Sequence, residues 1–136
     1  MMYIGDDVTW VLEKSFTFEA AHRLPHHDGK CARLHGHSFK CYVIVAGDVL
    51  ATSGPSVDML VDFGWLKQAM QPLLDNYLDH YYLNESLNLE NPTSERIAVW
   101  IYNCLYARVS DLTFGIKLRG IRVEETCTSA ATYIPS

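Results

Sequence analysis

The sequence predicts an α+β domain, a four-stranded antiparallel sheet with two helices on one face in the order β-β-α-α-β-β. Two observations carry this. Residues 9–22 and 116–125 alternate apolar and polar side chains with the period of a half-buried strand, residues 38–48 begin in the same way and turn apolar on both faces, and residues 130–134 suffice for a short fourth. Between the strand pairs, stretches opening after Asp62 and Asn91 repeat apolar residues at helical spacing.

Taken in order, the first strand places Phe16, Phe18 and Ala20 on one face, and His22 shares it. Leu24-Pro25-His26-His27-Asp28-Gly29 reads as a loop, where adjacent His26 and His27 point apart. In the second strand Phe39, Cys41, Val43 and Val45 form the core stripe, and His35 and His37 extend it backwards if Gly36 is in extended backbone. Beyond Tyr42 this strand is apolar on both faces, which predicts cover on each side. Ala51-Thr52-Ser53-Gly54-Pro55-Ser56 is a loop.

Asp62 is the expected cap of a helix presenting Phe63, Leu66, Met70, Leu73 and Leu74, with a kink or early end at Pro72. Residues 76–83 are aromatic-rich and aperiodic, and are expected to pack under a loop or at an interface. Pro92 suits the first turn of the second helix, with Glu95 near the positive end of its dipole. Ile97, Ile101, Cys104, Leu105 and Arg108 mark one face of this helix. Val99, Trp100 and Tyr102 make the remainder apolar. In the third strand the apolar parity shifts at Gly120, the mark of a bulge, and Glu125 then continues the inward Ile121/Val123 face.

The 136 residues fit a single domain, 1–136, with 49% hydrophobic and 20% charged residues, an ordinary globular balance. The first residues, Met1-Met2-Tyr3-Ile4-Gly5-Asp6-Asp7, lack a basic n-region, and no apolar run approaches a membrane span, which predicts a soluble cytoplasmic protein. Cys31, Cys41, Cys104 and Cys127 form no CxxC pair and are expected to be free thiols. A net charge of -5 argues against nucleic-acid or anionic-membrane partners. Between Lys14 and Lys40, however, five cations (Lys14, Arg23, Lys30, Arg33, Lys40) face two carboxylates (Glu19, Asp28), a local +3 that suits an anionic small substrate such as a phosphate ester.

His35-Gly36-His37 beside an inward His22 is the pattern of a catalytic zinc site, with three imidazoles and one open position. Cys31, four residues before His35 and flanked by Lys30 and Arg33, is either a base or nucleophile with a stabilised thiolate, or a fourth ligand closing the site. Asp79-His80 is a candidate proton-relay pair or a hydrogen-bonded turn pair. An inward Glu125 needs a partner, and a ligand with adjacent N–H groups, such as an aminopyrimidinone, would satisfy it. Taken alone, Ser94 reads as a capping-turn residue and Glu95 as a favourable charge at a helix start.

Assembled in order, Phe18-Glu19-Ala20-Ala21-His22, Cys31-x-x-x-His35-Gly36-His37, Val61-Asp62-Phe63-Gly64, Leu78-Asp79-His80, Asn91-Pro92-Thr93-Ser94-Glu95 and Glu125-Thr126 resemble the 6-pyruvoyltetrahydropterin / 6-carboxytetrahydropterin synthase family. The resemblance spans about residues 16–133, and Trp65, where a polar helix residue is expected, departs from it. It implies the tunnelling (T-) fold and zinc on His22, His35 and His37. It also implies Cys31 as catalytic base, Asp79 and His80 as a relay, Glu125 as pterin anchor, and Thr93, Ser94 and Glu95 lining the pterin pocket. It further implies a homo-oligomer, commonly a hexamer, with active sites between subunits.

Three residues between Cys31 and His35 resemble the bacterial 6-carboxytetrahydropterin synthases of the queuosine (7-deazapurine) branch. The implied substrate is dihydroneopterin triphosphate, and the implied products are the 6-carboxy pterin, acetaldehyde and triphosphate. The alternatives are the sister activity that eliminates triphosphate to give 6-pyruvoyltetrahydropterin, and a catalytically silent zinc or pterin-binding protein. Lys14, Arg23, Lys30 and Arg33 are candidates for gripping the triphosphate.

Overall fold

The computed structural model describes residues 9–110, 115–126 and 128–136; the expectations for residues 1–7 and for the Cys127 thiol fall outside these. The four expected antiparallel strands are present as β1 (Trp10–His22), β2 (His35–Gly47), β4 (Lys117–Thr126) and β5 (Ser129–Tyr133). Among the described residues the sheet has five strands, not four, in the order β3-β1-β2-β4-β5, because the two-residue β3 (Tyr81–Tyr82) adds to the edge in parallel with β1. That strand is invisible to periodicity because two residues carry no alternation.

β1 and β2 pair along their whole length, from Trp10↔Gly47 to His22↔His35. Their inward residues Phe16, Phe18, Phe39, Cys41, Val43 and Val45 are buried. The parity shift in β4 is a bulge: Ile44 pairs Gly120 and Val45 pairs Leu118, so Arg119 is the extra residue. A second irregularity lies between Glu124 and Thr126, where β4 turns towards β5.

Helices α1 (Phe63–Leu73) and α3 (Ser94–Ser110) supply the other half of the core. The Asp62 carboxylate accepts from Gly64 N–H at 2.8 Å and caps α1 as expected. Leu66, Ala69 and Met70 are its buried face, whereas Phe63, expected in the core, sits in the first turn and is 45% exposed. Trp65 packs against the core from the side. Pro72 lies inside α1, and just after it the chain widens into a π-helical turn, Leu74–Leu78, closed by Asp79 N–H on Leu74 C=O at 2.9 Å. Pro72 donates no hydrogen bond to the preceding turn, so regular hydrogen bonding is already interrupted there.

After β3 comes the short α2 (Leu83–Ser86). Pro92 does not start α3. Thr93 caps it, its hydroxyl accepting from Arg96 N–H at 3.2 Å, which leaves Pro92 and its carbonyl outside the helix. Along α3, Ile97, Ile101, Leu105 and Val109 are buried, and Arg108, predicted on that face, is exposed in the last turn. Among the described residues no helix is long and apolar enough to cross a membrane.

A Cβ built at Gly120 would lie 2.5 Å from the Tyr133 carbonyl oxygen, so β5 lies tight against the bulge. Gly120→Ala is expected to lower the stability of the folded chain by about 1–3 kcal/mol through displacement of β5. Urea unfolding checks this, and a midpoint equal to wild type would show that β5 yields without cost.

Candidate metal centre

Antiparallel pairing brings His22 directly opposite His35, with His37 one diagonal away across Ala20. The three rings stand edge-on, with centroids 4.5 Å (His22–His35), 4.8 Å (His35–His37) and 5.2 Å (His22–His37) apart. Phe39 lies 5.5 Å from both His22 and His37 and stacks on Phe18 at 5.1 Å, giving the cluster an apolar floor. Glu125, on the inward face of β4 at its second irregularity, reaches the same place. One donor atom from each of His22, His35, His37 and Glu125 falls within 4.8 Å of all the others.

The hydrogen bonds around this group settle which nitrogens face it. His22 is fully buried, and its Nδ1 lies 2.8 Å from the Pro92 carbonyl oxygen; His35 Nδ1 lies 2.7 Å from that of Arg33. A carbonyl only accepts, so both Nδ1 atoms carry the proton and both Nε2 atoms present a lone pair. His22 Nε2 and His37 Nε2 are buried without a hydrogen-bond partner among the described residues. Both lie near Glu125 Oε1, at 3.4 and 2.8 Å, but without the angles of a hydrogen bond. At His22 a lone pair therefore faces a carboxylate oxygen, an arrangement relieved by a cation between them. Burial holds the His37 imidazole below its usual pKa against the raising effect of Glu125, with His22 and His35 lowering it further, so the neutral, ligating form is favoured. Three imidazoles and a carboxylate are a donor set that zinc accepts.

The other predicted residues fall in three places. Cys31 is a half-buried free thiol in a 3-10 turn, Lys30–Ala32, tied down by Leu24 N–H on its carbonyl at 2.7 Å. Its sulfur is not among the clustered donor atoms; Glu125 holds that place. Ser94 is buried and its hydroxyl donates to Glu125 Oε2 at 3.2 Å, so it is more than the capping residue that sequence suggests. The Thr93 hydroxyl is taken up by the α3 cap, and Glu95 is exposed. Arg23, a triphosphate candidate, spends its Nε on the Ala32 carbonyl at 3.1 Å.

Asp79 and His80 sit at the sheet edge. Asp79 Oδ2 is 3.0 Å from His80 Nδ1, while Oδ1 accepts from Glu19 N–H at 2.9 Å. His80 N–H donates to the Glu19 carbonyl, and the residue adopts φ 66°, a left-handed conformation that favours glycine. His80, Glu19, Ser38 and His37 line one open cleft of about 490 Å³, so His37 borders both the cleft and the metal group. A larger cavity of about 710 Å³ lies at the opposite end of β2, by Gly47, Tyr102 and Lys117, far from the histidines.

Sequence reading missed the carbonyls of Pro92 and Arg33, since backbone groups leave no compositional signal. It also missed Asn84, whose amide bonds Arg23 and Glu90.

The fold and this centre define a T-fold protein with a three-histidine, one-carboxylate donor group. The chain belongs to the 6-pyruvoyl tetrahydropterin synthase family, whose pattern matches residues 11–136. It is 54% identical over 125 residues to a Synechocystis protein named 6-carboxy-5,6,7,8-tetrahydropterin synthase, covering 91% of this chain and 92% of that one. It is 34% identical to a Bacillus subtilis protein of the same name, covering 91% and 84%. The solved structure of Caenorhabditis elegans 6-pyruvoyl tetrahydropterin synthase superposes with a TM-score of 0.77 at 28% identity, covering 95% of this chain and 97% of that one.

The Glu19 N–H, and to a lesser degree His80, hold the Asp79 carboxyl below its ordinary pKa, against an opposing effect of burial. Its stabilising contribution is therefore present above the unfolded value of about 4 and is lost as pH falls through the lower folded value. The stability difference between wild type and Asp79→Asn is expected to shrink below about pH 4. Urea titrations across the acid range measure it, and a difference independent of pH would remove the charge from the account.

Proposed function

We propose that this chain is a zinc-dependent 6-carboxytetrahydropterin synthase, a carbon–carbon lyase of the queuosine branch. It converts dihydroneopterin triphosphate and one water to 6-carboxy-5,6,7,8-tetrahydropterin, acetaldehyde and triphosphate. The observation that carries the reading is the convergence of three imidazoles, two with Nδ1 pinned by backbone carbonyls, in a chain 54% identical to a relative named for that reaction.

In this reading residues 1–136 form one catalytic domain and His22, His35 and His37 hold zinc. Bound zinc supplies Lewis acidity that makes the substrate's side-chain hydroxyls easier to deprotonate. Cys31 takes a proton as base. Asp79, itself fixed by Glu19 N–H, orients His80 through Nδ1 and leaves Nε2 to move a proton on the other side of the substrate. Glu125, steadied by Ser94, accepts the paired N–H groups of the pterin, and Thr93, Ser94 and Glu95 border that pocket. The β5 and β3 edges and the exposed Tyr77 and Tyr81 support assembly of copies into a homo-oligomer, a hexamer, with sites completed between subunits.

One observation favours a second reading. Glu125 lies close enough to the imidazoles to close the group with four protein donors, which would suit a silent zinc-binding protein.

Mass-spectrometric product identification with zinc-loaded protein and dihydroneopterin triphosphate is the test. Acetaldehyde with the 6-carboxy pterin is expected. The 6-pyruvoyl product would move the chain to the sister activity, and unchanged substrate would favour the silent protein. Cys31→Ala is expected to lower turnover by about 10²–10⁴-fold with zinc content unchanged. Loss of zinc from that variant, read by metal analysis, would make Cys31 a ligand instead.

A further inference from the structure

Asn84 ties together the two backbone segments that position His22. Its Oδ1 accepts from Arg23 N–H at 3.0 Å, and its Nδ2 donates to the carbonyls of Arg23 at 2.8 Å and Glu90 at 3.0 Å. The amide orientation follows from this set, because a flipped amide would set NH₂ against N–H and oxygen against two carbonyls. Arg23 directly follows His22, and Glu90 lies two residues before Pro92, whose carbonyl holds His22 Nδ1. The same strand end also holds the Cys31 turn, through Arg23 Nε on Ala32 C=O and Leu24 N–H on Cys31 C=O. Leu83, fully buried beside Asn84, anchors α2 in the core and gives the amide a fixed base.

We infer that Asn84 is a positioning residue for the metal centre, holding the His22 backbone and the Pro92 carbonyl at the separation that directs His22 Nε2 towards the other ligands. The inference rests on the zinc reading above. Without the amide, the hydrogen bonds and ion pairs that still join the strand end to the Glu90–Pro92 segment among the described residues are the Nδ1 bond itself and, on the surface, the exposed His26–Glu90 pair at 2.6 Å. The His22 ring then loses its fixed orientation, and the metal loses a preorganised ligand.

The test is zinc affinity of the full chain, by competition with a chromophoric chelator, alongside the visible spectrum of the Co(II)-loaded protein and the metal-free melting temperature. Asn84→Ala is expected to weaken zinc binding by roughly 10–100-fold and to alter the Co(II) bands. Asn84→Asp keeps the Arg23 N–H bond, loses both donor bonds, and is expected to change in the same direction; it carries the measurement if the alanine variant does not fold. Ser86→Ala, which removes a 2.7 Å bond from the same short helix to the Tyr77 carbonyl, is the control and is expected to lower only the melting temperature. Asn84 variants that lose melting temperature but bind zinc within about twofold of wild type, well inside the expected change, would overturn the inference. Failure of the wild type itself to bind zinc would instead overturn the zinc reading, and this inference with it.

Discussion

The register of β1 on β2 is the constraint on which the rest of this molecule depends. Thirteen residues pair with thirteen, and because side chains alternate, a slip of one position would turn Phe16, Phe18 and Ala20 outward and carry His22 out with them. The core and the metal group are therefore set by one act of pairing. Buried aromatics in mid-strand hold the register, and the three imidazoles at the strand end inherit their direction from it. At the far end of the same ladder lies a cavity with none of these groups, so the chemistry is concentrated at one end of the sheet.

The centre is costly in the absence of a cation. Two buried nitrogens have no hydrogen-bond partner among the described residues, each a burden of about 1–3 kcal/mol, and a carboxylate oxygen stands beside both. Phe39, stacked on Phe18, floors the cluster with rings that offer these nitrogens no strong hydrogen bond. The fold tolerates the strain because its core, from Leu66 and Met70 to Ile97 and Ile101, is contiguous beneath the site. A ligand that satisfies the nitrogens, and so binds the folded form more tightly than the unfolded chain, adds to stability by mass action.

The strands and both long helices were legible because each presents a face of the core, and periodicity reports faces. The inward direction of His22 and Glu125 followed from the same parity. What stayed hidden was held by the backbone. β3 is two residues of edge pairing, the Pro92 and Arg33 carbonyls belong to no side chain, and Asn84 acts through contacts 61 residues away in sequence on Arg23. Pro92 misled for a related reason. Proline is compatible both with a helix's first turn and with the extended residue ahead of its cap, and only the Thr93 hydroxyl bond distinguishes the two.

His80 carries a consequence of a different kind. At φ 66° a residue without a Cβ would rest more easily, and a histidine there sits above its local minimum by an amount on the order of 1 kcal/mol. The conformation survives because both sides are clasped by Glu19, through its carbonyl on His80 N–H and its N–H on the Asp79 carboxylate. Relief of the backbone alone would favour glycine at this position, against the loss of the imidazole beside the Asp79 carboxylate. Any laboratory evolution of this chain towards heat tolerance would therefore pull against the imidazole at the sheet edge, and would reveal by that conflict how much the molecule gives up locally to keep it.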